Sequence, residues 1–301
     1  MVIKMNEIND KASSFEKIII IGYGKATGEI LKFVDDKKND FGYELEFIEH
    51  EIHPFSITLK ICEERGIPNK QIEDKNELIA YFDEKASENH KLLILSASNN
   101  FLFPKCLVEK DNVTIVNFHN ALLPKFPGRN APSWVIYEGE KETGITWHYV
   151  TSGVDEGSII IQKKCDISPD MRAFELTEKL MDLAYEGFCE VFERILFENI
   201  EAKPQDKGFI SSRKMYKSKE VPGDACFNLN DKVEDIYRLF RALDYGKNDI
   251  FPEITSVVNG EKVKFIRYKK ISKDKVDLQD GLLYLPFEDG DVLKLKYKTV
   301  L

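Results

Sequence analysis

The 301 residues suit one large domain or, more naturally, two, and 43% hydrophobic with 11% aromatic residues are ample for a filled core. A net charge of −9 argues against a general nucleic-acid or anionic-membrane binder, and lysines interleave with acids as on a solvated helix face in IEDKNELIAYFDEK, residues 72–85. The opening MVIKMNEINDKASSFEK has no apolar leader core and no stretch approaches eighteen apolar residues, so the expectation is a cytoplasmic protein without a membrane span.

In chain order, KIIIIGYGKATGEILKFVDD (17–36) reads as a buried strand, a glycine turn and an amphipathic helix. YELEFIE is a strand, PFSITLKICEERG and KNELIAYFDEKA are helices, and KLLILSAS and VTIVNFH are two more buried strands. Strands alternating with helices over 17–140 indicate a doubly wound, mainly parallel α/β sheet. NAPSWVIYEGE reads as a helix capped by Asn130 with Pro132 in its first turn. From Gly144, GITWHYVTSGVDEGSIIIQKKCDI gives two alternating strands around a glycine-bearing loop, and a long amphipathic helix follows over 172–198.

After AKPQDKG the texture changes. One helix, DKVEDIYRLFRAL, precedes short strands in EITSVVNGEKVKFIRYKKI and LLYLPFEDGDVLKLKY, the latter with a hairpin turn at Glu288–Asp291. The expected division is a domain over 1–200 and a small β-rich one over 201–301, a barrel of the OB kind with one helix. The cysteines (Cys62, Cys106, Cys165, Cys189, Cys226) are odd in number and form no CxxC pair, which points to buried reduced thiols and to neither disulfides nor a metal site.

Two motifs compete for function. GYGKATG places Gly22, Gly24 and Gly28 between strand and helix, with Glu46 or Glu49 about twenty residues on, a near match to the dinucleotide fingerprint. The third glycine stands one place late and nothing downstream supplies a hydride-transfer site, so an NAD-linked oxidoreductase is the weaker reading. The second motif is TIVNFHNALLPKFPGRNAP, 114–132. Residues i and i+2 of a strand share a face, so Asn117 and His119 point together from the carboxyl end of a strand, where open parallel sheets meet ligands. LLPKFPG then fixes the backbone with Pro124 and Pro127 and closes at Gly128, where a ligand could approach the main chain. GVDEG offers Asp155 in a glycine-bounded loop, while His50, His53, His90 and His148 show no evident partner. An Asn-His-Asp set suits acyl transfer to an amine. The imidazole accepts the amine proton, the amide donates to the oxyanion, and the carboxylate fixes the tautomer.

NFHNALLPKFPGRNAPSW and GITWHYVTSGVDEGSII resemble the N-formyltransferases that use 10-formyltetrahydrofolate: Asn-x-His, Leu-Leu-Pro with a glycine, then an Asp-x-Gly loop. The resemblance implies Asn117, His119 and Asp155 as the catalytic three. LILSASNNFLFPKCL stands at the folate-side loop, which implies pterin contacts from Asn100, Phe101 and Leu102, with Thr151 and Val154 closing over the ring and Gly128 beside the ligand. It covers 17–200 strongly and the remainder loosely. Within the family the chain looks most like enzymes that formylate a nucleotide-linked 4-amino-4,6-dideoxy sugar on a pseudaminic-acid-type path, and like the formylation domain of some nonribosomal peptide synthetases. The implied partners are folate and a UDP- or dTDP-linked sugar, with no nucleic acid and no membrane; a homodimer is left open. Transfer to methionyl-tRNA or to a carrier-bound aminoacyl group is the alternative, kept alive by RKMYKSK (213–219) and RYKK (267–270), whose bland reading is a linker and a solvated strand face. A relic retained only for binding would be expected to lack one of the three residues, whereas a folate-dependent hydrolase, with water as acceptor, would share them.

Overall fold

The computed structural model describes residues 12–300 apart from 52, 54, 88–89, 213, 249 and 277–278. Most of the polar lead-in, and Arg213 of the basic stretch at 213–219, therefore lie outside the described residues. Contacts divide the chain into two compact units: Met1–Pro127, Gly144–Lys164 and Lys179–Lys214 form one, and Gly128–Thr143, Cys165–Glu178 and Met215–Leu301 the other. Among the described residues no helix is long and apolar enough to cross a membrane.

The elements run in order β1 (Lys17–Gly22), α1 (Gly24–Phe41), β2 (Glu44–Glu49), α2 (Ile57–Arg65), β3 (Asn69–Gln71), α3 (Lys75–Ser87), β4 (Leu92–Ala97), α4 (Lys105–Val108), β5 (Val113–His119), α5 (Ala131–Tyr137), β6 (Glu142–Tyr149), β7 (Ile159–Asp166), α6 (Ala173–Leu196) and α7 (Lys207–Ser212). The strands β1–β7 make one sheet in the order β3-β2-β1-β4-β5-β6-β7. Pairing is parallel from β3 through β5 and antiparallel between β5 and β6. The expected doubly wound, mainly parallel sheet is thus present, with its order reversing between β1 and β4. That reversal opens a crevice at the carboxyl ends of the strands. Unbroken apolar runs such as Ile18–Ile21, all fully buried, are what a strand covered on both faces requires. Ile19, Ile21 and Ile94 pack with Leu78, Phe82 and Phe101 on one side. On the other, Phe188 of α6 lies 5.2 Å from the Trp147 ring and 6.1 Å from that of Phe33 on α1.

Two local expectations change. The helix α5 does follow Asn130, but that residue is left-handed (φ 56°) and its side chain caps nothing. Burial of the thiols holds for Cys62 and Cys165, whereas Cys106 and Cys226 are exposed; burial, reinforced by Glu49, pushes the Cys62 thiol up to about 12.

The second unit holds α8 (Val233–Leu243) and the strands β8 (Thr255–Val258), β9 (Glu261–Ser272), β10 (Leu282–Pro286) and β11 (Asp291–Thr299). The strands form an antiparallel sheet in the order β10-β11-β9-β8, a half-barrel with one strand fewer than the OB barrel. Alternation puts Val263, Phe265, Leu293 and Leu295 into a core with Ile236, Leu239 and Phe240 of α8. The helix α5 belongs to this unit and packs on α8, with Ser133 Oγ 3.0 Å from the Tyr245 hydroxyl.

At the end of β1, Gly22 has φ 151°, and a Cβ there would fall 1.7 Å from the carbonyl oxygen of Ala97 on β4. Close approach of two strands therefore accounts for this first glycine of the GYGKATG turn. Gly22→Ala should destabilise the protein by about 3 kcal/mol, read as a lowered midpoint in urea denaturation.

Candidate active site

Register builds the site. Ser96 of β4 pairs with Asn117 of β5, and Asn117 pairs in turn with His148 of β6, so three polar side chains stand in one row across three strands. Ser96 Oγ donates to Asn117 Oδ1 at 2.7 Å, and Asn117 Nδ2 lies 3.2 Å from His148 Nε2. His148 Nδ1 is 2.9 Å from the Tyr149 carbonyl oxygen. Two residues further along β5, His119 is buried, with Nε2 2.8 Å from the Phe126 carbonyl oxygen and Nδ1 3.6 Å from Asp155 Oδ2. The other Asp155 oxygen, Oδ1, is 3.6 Å from His148 Nε2.

Asn117, His119 and Asp155 are thus brought together, and Asp155 faces two imidazoles. His148, without an evident partner in the sequence, contacts both of the other groups. Both partners of His119 are acceptors, so one receives the N–H of the neutral ring and the other stands ready for a proton that the ring gains. Such a set can take a proton from an attacking group and offer an amide N–H to a developing oxyanion.

Two loops hold these groups. Thr146, opposite His119 in the ladder, donates to the Ala121 carbonyl at 2.7 Å and accepts from Leu123 N–H at 3.0 Å. Gln162 ties the Leu123 carbonyl at 2.8 Å, which fixes the loop that brings Phe126 to His119. Asp155 sits in the left-handed region, φ 53°. Its carbonyl and that of Gly157 both accept from Gln205 Nε2, at 3.0 and 2.8 Å. Gln205 is buried but lies in AKPQDKG, the polar stretch after which the texture of the sequence changes.

The profile of the formyl transferase family matches residues 13–192. The chain belongs to that family. At 28% identity over 201 residues it is similar to the methionyl-tRNA formyltransferase of Acetivibrio thermocellus, covering 67% of this chain and spanning 62% of that relative's length. The fold is shared with the N-formyltransferase of Helicobacter canadensis, solved with folinic acid and dTDP-3-aminofucose: TM-score 0.70, 17% identity, 93% of this chain and 99% of the other. It is shared too with WlaRD, a sugar 3N-formyl transferase solved with dTDP and 5-N-formyl-THF: TM-score 0.69, 17% identity, 95% of this chain and 99% of the other.

In this chain the residues expected at the folate fall in different places. Asn100 donates to Glu51, Phe101 is buried in the core and Leu102 is exposed. The Phe101 N–H donates to Asn99 Oδ1 at 3.0 Å and its carbonyl accepts from Asn99 Nδ2 at 3.3 Å, so the backbone at Phe101 is engaged within its own loop. Asn99 Nδ2 also reaches Ser96 Oγ at 3.3 Å, which links this loop to the row at Asn117. Thr151 and Val154 are exposed on the loop that leads to Asp155. Gly128 lies in the second unit, where a Cβ would come 2.2 Å from the Tyr216 carbonyl oxygen; chain packing, whatever else it meets, demands glycine there. The acids of the dinucleotide-like motif are engaged too. Glu46 is 3.3 Å from Lys17 Nζ, and Glu49 accepts from the hydroxyls of Ser56 and, at 3.0 Å, Thr58.

Sequence reasoning missed His148, Ser96, Asn99 and Gln205. An alternating strand places His148 on a face, but only the register with β5 sets it opposite Asn117. Gln205→Leu should cost about 1–3 kcal/mol by stripping two carbonyls of their donor, and should lower turnover more than the Tm change alone explains; paired thermal melts and rate measurements check both.

Proposed function

We propose that this formyl transferase moves the formyl group of 10-formyltetrahydrofolate to the amine of a nucleotide-linked amino-dideoxy sugar. The observation that carries the chemistry is Asp155 facing His119 beside an Asn117 amide anchored on Ser96. The amine nitrogen attacks the formyl carbon and negative charge gathers on the formyl oxygen, where an Asn117 N–H donates. The nitrogen passes its proton to the neutral imidazole of His119. The imidazolium so formed is held by the Asp155 carboxylate at Nδ1 and by the Phe126 carbonyl at Nε2. Collapse of the intermediate breaks the bond from the formyl carbon to N10 and leaves the formamide on the acceptor, while the His119 imidazolium gives its proton to N10 and tetrahydrofolate departs. In this reading the pterin edge meets the loop at Asn100–Leu102 and the loop at Thr151–Val154, with Leu102 contributing backbone where Phe101 is already engaged.

A sugar acceptor is supported by likeness in fold along nearly the whole of the Helicobacter canadensis enzyme and by the net charge of −9. The motif resemblance favours a 4-amino-4,6-dideoxy sugar on UDP or dTDP. A cytoplasmic location belongs to the same reading, since reduced folates and nucleotide sugars are made there. Methionyl-tRNA is the second reading. Beside the curated relative, it draws on the half-barrel, where Lys298, Lys296 and Lys294 of β11 stand opposite Lys264, Arg267 and Lys269 of β9, like charges that a polyanion would relieve.

The deciding experiment incubates purified protein and 10-formyltetrahydrofolate with UDP- and dTDP-linked 4-amino-4,6-dideoxy sugars, with dTDP-3-aminofucose, or with initiator methionyl-tRNA. Tetrahydrofolate release and the mass of the formylated product are read. Formylation of a 4-amino sugar is expected; formylation of methionyl-tRNA alone overturns the sugar reading. With the active acceptor, His119→Ala and Asn117→Ala should each lower the rate by roughly 10²–10⁴. Asp155→Asn should lower it comparably while folate affinity, measured by calorimetry with 5-formyltetrahydrofolate, changes little. Near-normal turnover in all three variants would place the chemistry elsewhere.

A further inference from the structure

We infer that His148 is a positioning residue for formyl transfer: a neutral imidazole, protonated on Nδ1, whose Nε2 lone pair holds the Asn117 amide so that its second N–H is aimed at the substrate. This rests on the role proposed for Asn117.

The donor–acceptor directions follow from the partners. The Tyr149 carbonyl oxygen, 2.9 Å from His148 Nδ1, can only accept, so Nδ1 carries a proton. The remaining nitrogen, Nε2, is 3.2 Å from Asn117 Nδ2, a donor, and therefore supplies a lone pair. The orientation of Asn117 is set independently from the other side. Asn99 Nδ2 reaches Ser96 Oγ at 3.3 Å, and Ser96 Oγ is 2.7 Å from Asn117 Oδ1. With its lone pair receiving Asn99, the serine hydroxyl donates to Asn117. The chain Asn99 → Ser96 → Asn117 → His148 then runs with one polarity, and His148 passes its own proton to Tyr149 O. Turning the Asn117 amide over would set its carbonyl against the Nε2 lone pair.

This matters for the proposed chemistry because the terminal torsion of an asparagine is broad. An amide anchored only at Oδ1 still swings its NH₂ group. With one N–H committed to His148, the direction of the other is fixed, which is the preorganisation that an oxyanion donor needs. The pairing Ser96–Asn117–His148 in a single cross-strand row makes the device a property of the sheet, not of a loop. Asp155 Oδ1, 3.6 Å from Nε2, is the competing partner. An imidazolium at His148 would donate to Asp155 and withdraw its lone pair from Asn117.

The test has a spectroscopic and a kinetic arm. Protein labelled with ¹⁵N at histidine and asparagine is examined near neutral pH by long-range ¹H–¹⁵N correlation, with His148→Gln giving the assignment of His148. A neutral ring protonated on Nδ1, with an Asn117 NH₂ pair whose shifts move on substitution of His148, is expected. A proton on Nε2, whether in the other tautomer or in the imidazolium paired with Asp155, overturns the inference without any substrate being needed. In the kinetic arm, tetrahydrofolate release from 10-formyltetrahydrofolate is followed with water alone and with dTDP-3-aminofucose. His148→Leu should lower kcat roughly 10–10²-fold with the KM for folate little changed. His148→Gln, whose Oε1 can accept from Asn117, should recover most of that loss, and His148→Leu should cost nothing further in an Asn117→Ala background. Equal losses in the Leu and Gln variants, or additive losses in the double variant, would mean that His148 does not act through Asn117. Normal turnover in Asn117→Ala would instead sink the proposed site, a distinct outcome that leaves the spectroscopic arm to decide the state of His148.

Discussion

The pairing of β4, β5 and β6 in one register is the constraint on which the site rests. Side chains alternate along a strand, so a slip of one residue at β5 would carry Asn117 and His119 to the opposite face and put Phe118 in their place. Apolar packing on the far face prevents the slip. Phe118 and Trp147 stack at 5.6 Å, Trp147 meets Phe188 of α6 at 5.2 Å, and the indole N–H donates to the Ala184 carbonyl at 2.9 Å. A ring as large as Trp147, fully buried, has one place to go. The polar row is therefore held in line by contacts made on the side of the sheet that faces away from it.

Strands alone place groups only to within a row. The remaining precision comes from two loops whose backbones are tied by polar side chains. Thr146 and Gln162 tie the loop carrying Phe126, and Gln205 ties the one carrying Asp155. Each tie satisfies carbonyl or N–H groups that irregular backbone would otherwise leave unpaired. Stability and site geometry are thus served by the same hydrogen bonds.

What the sequence discloses follows from this division. Unbroken apolar runs and alternating helices made the parallel sheet legible, and the i, i+2 spacing of Asn117 and His119 showed that they share a face. The capping role expected of Asn130 failed because its backbone turns left-handed, which a residue name does not reveal. His148 escaped notice because the partner of a strand residue depends on which strand lies beside it and in what register, both set by packing many residues away. Gln205 escaped because a buried tie between loops has no periodicity. The glycine turn is ambiguous in a different manner: Gly22 is required by the Ala97 carbonyl of the neighbouring strand, a demand that resembles a phosphate-binding turn when only spacing is visible.

Asp155 stands at 3.6 Å from each of two imidazoles, yet one carboxylate can compensate only one cation well. The surroundings break this symmetry. Both nitrogens of His119 face acceptors, the Asp155 carboxylate and the Phe126 carbonyl, so a proton gained by the ring finds a partner. His148 meets the Tyr149 carbonyl at Nδ1, and its Nε2 lies nearer the Asn117 amide, at 3.2 Å, than Asp155 Oδ1, at 3.6 Å, so that nitrogen is set to supply a lone pair. The two histidines are therefore suited to different tasks by hydrogen-bond polarity alone. His119 can gain and hold a proton, while His148 can serve Asn117 only for as long as its Nε2 stays bare. A substitution that brought Asp155 Oδ1 nearer to His148 Nε2 than the Asn117 amide is would set both rings competing for Asp155, and the amide of Asn117 would lose its anchor.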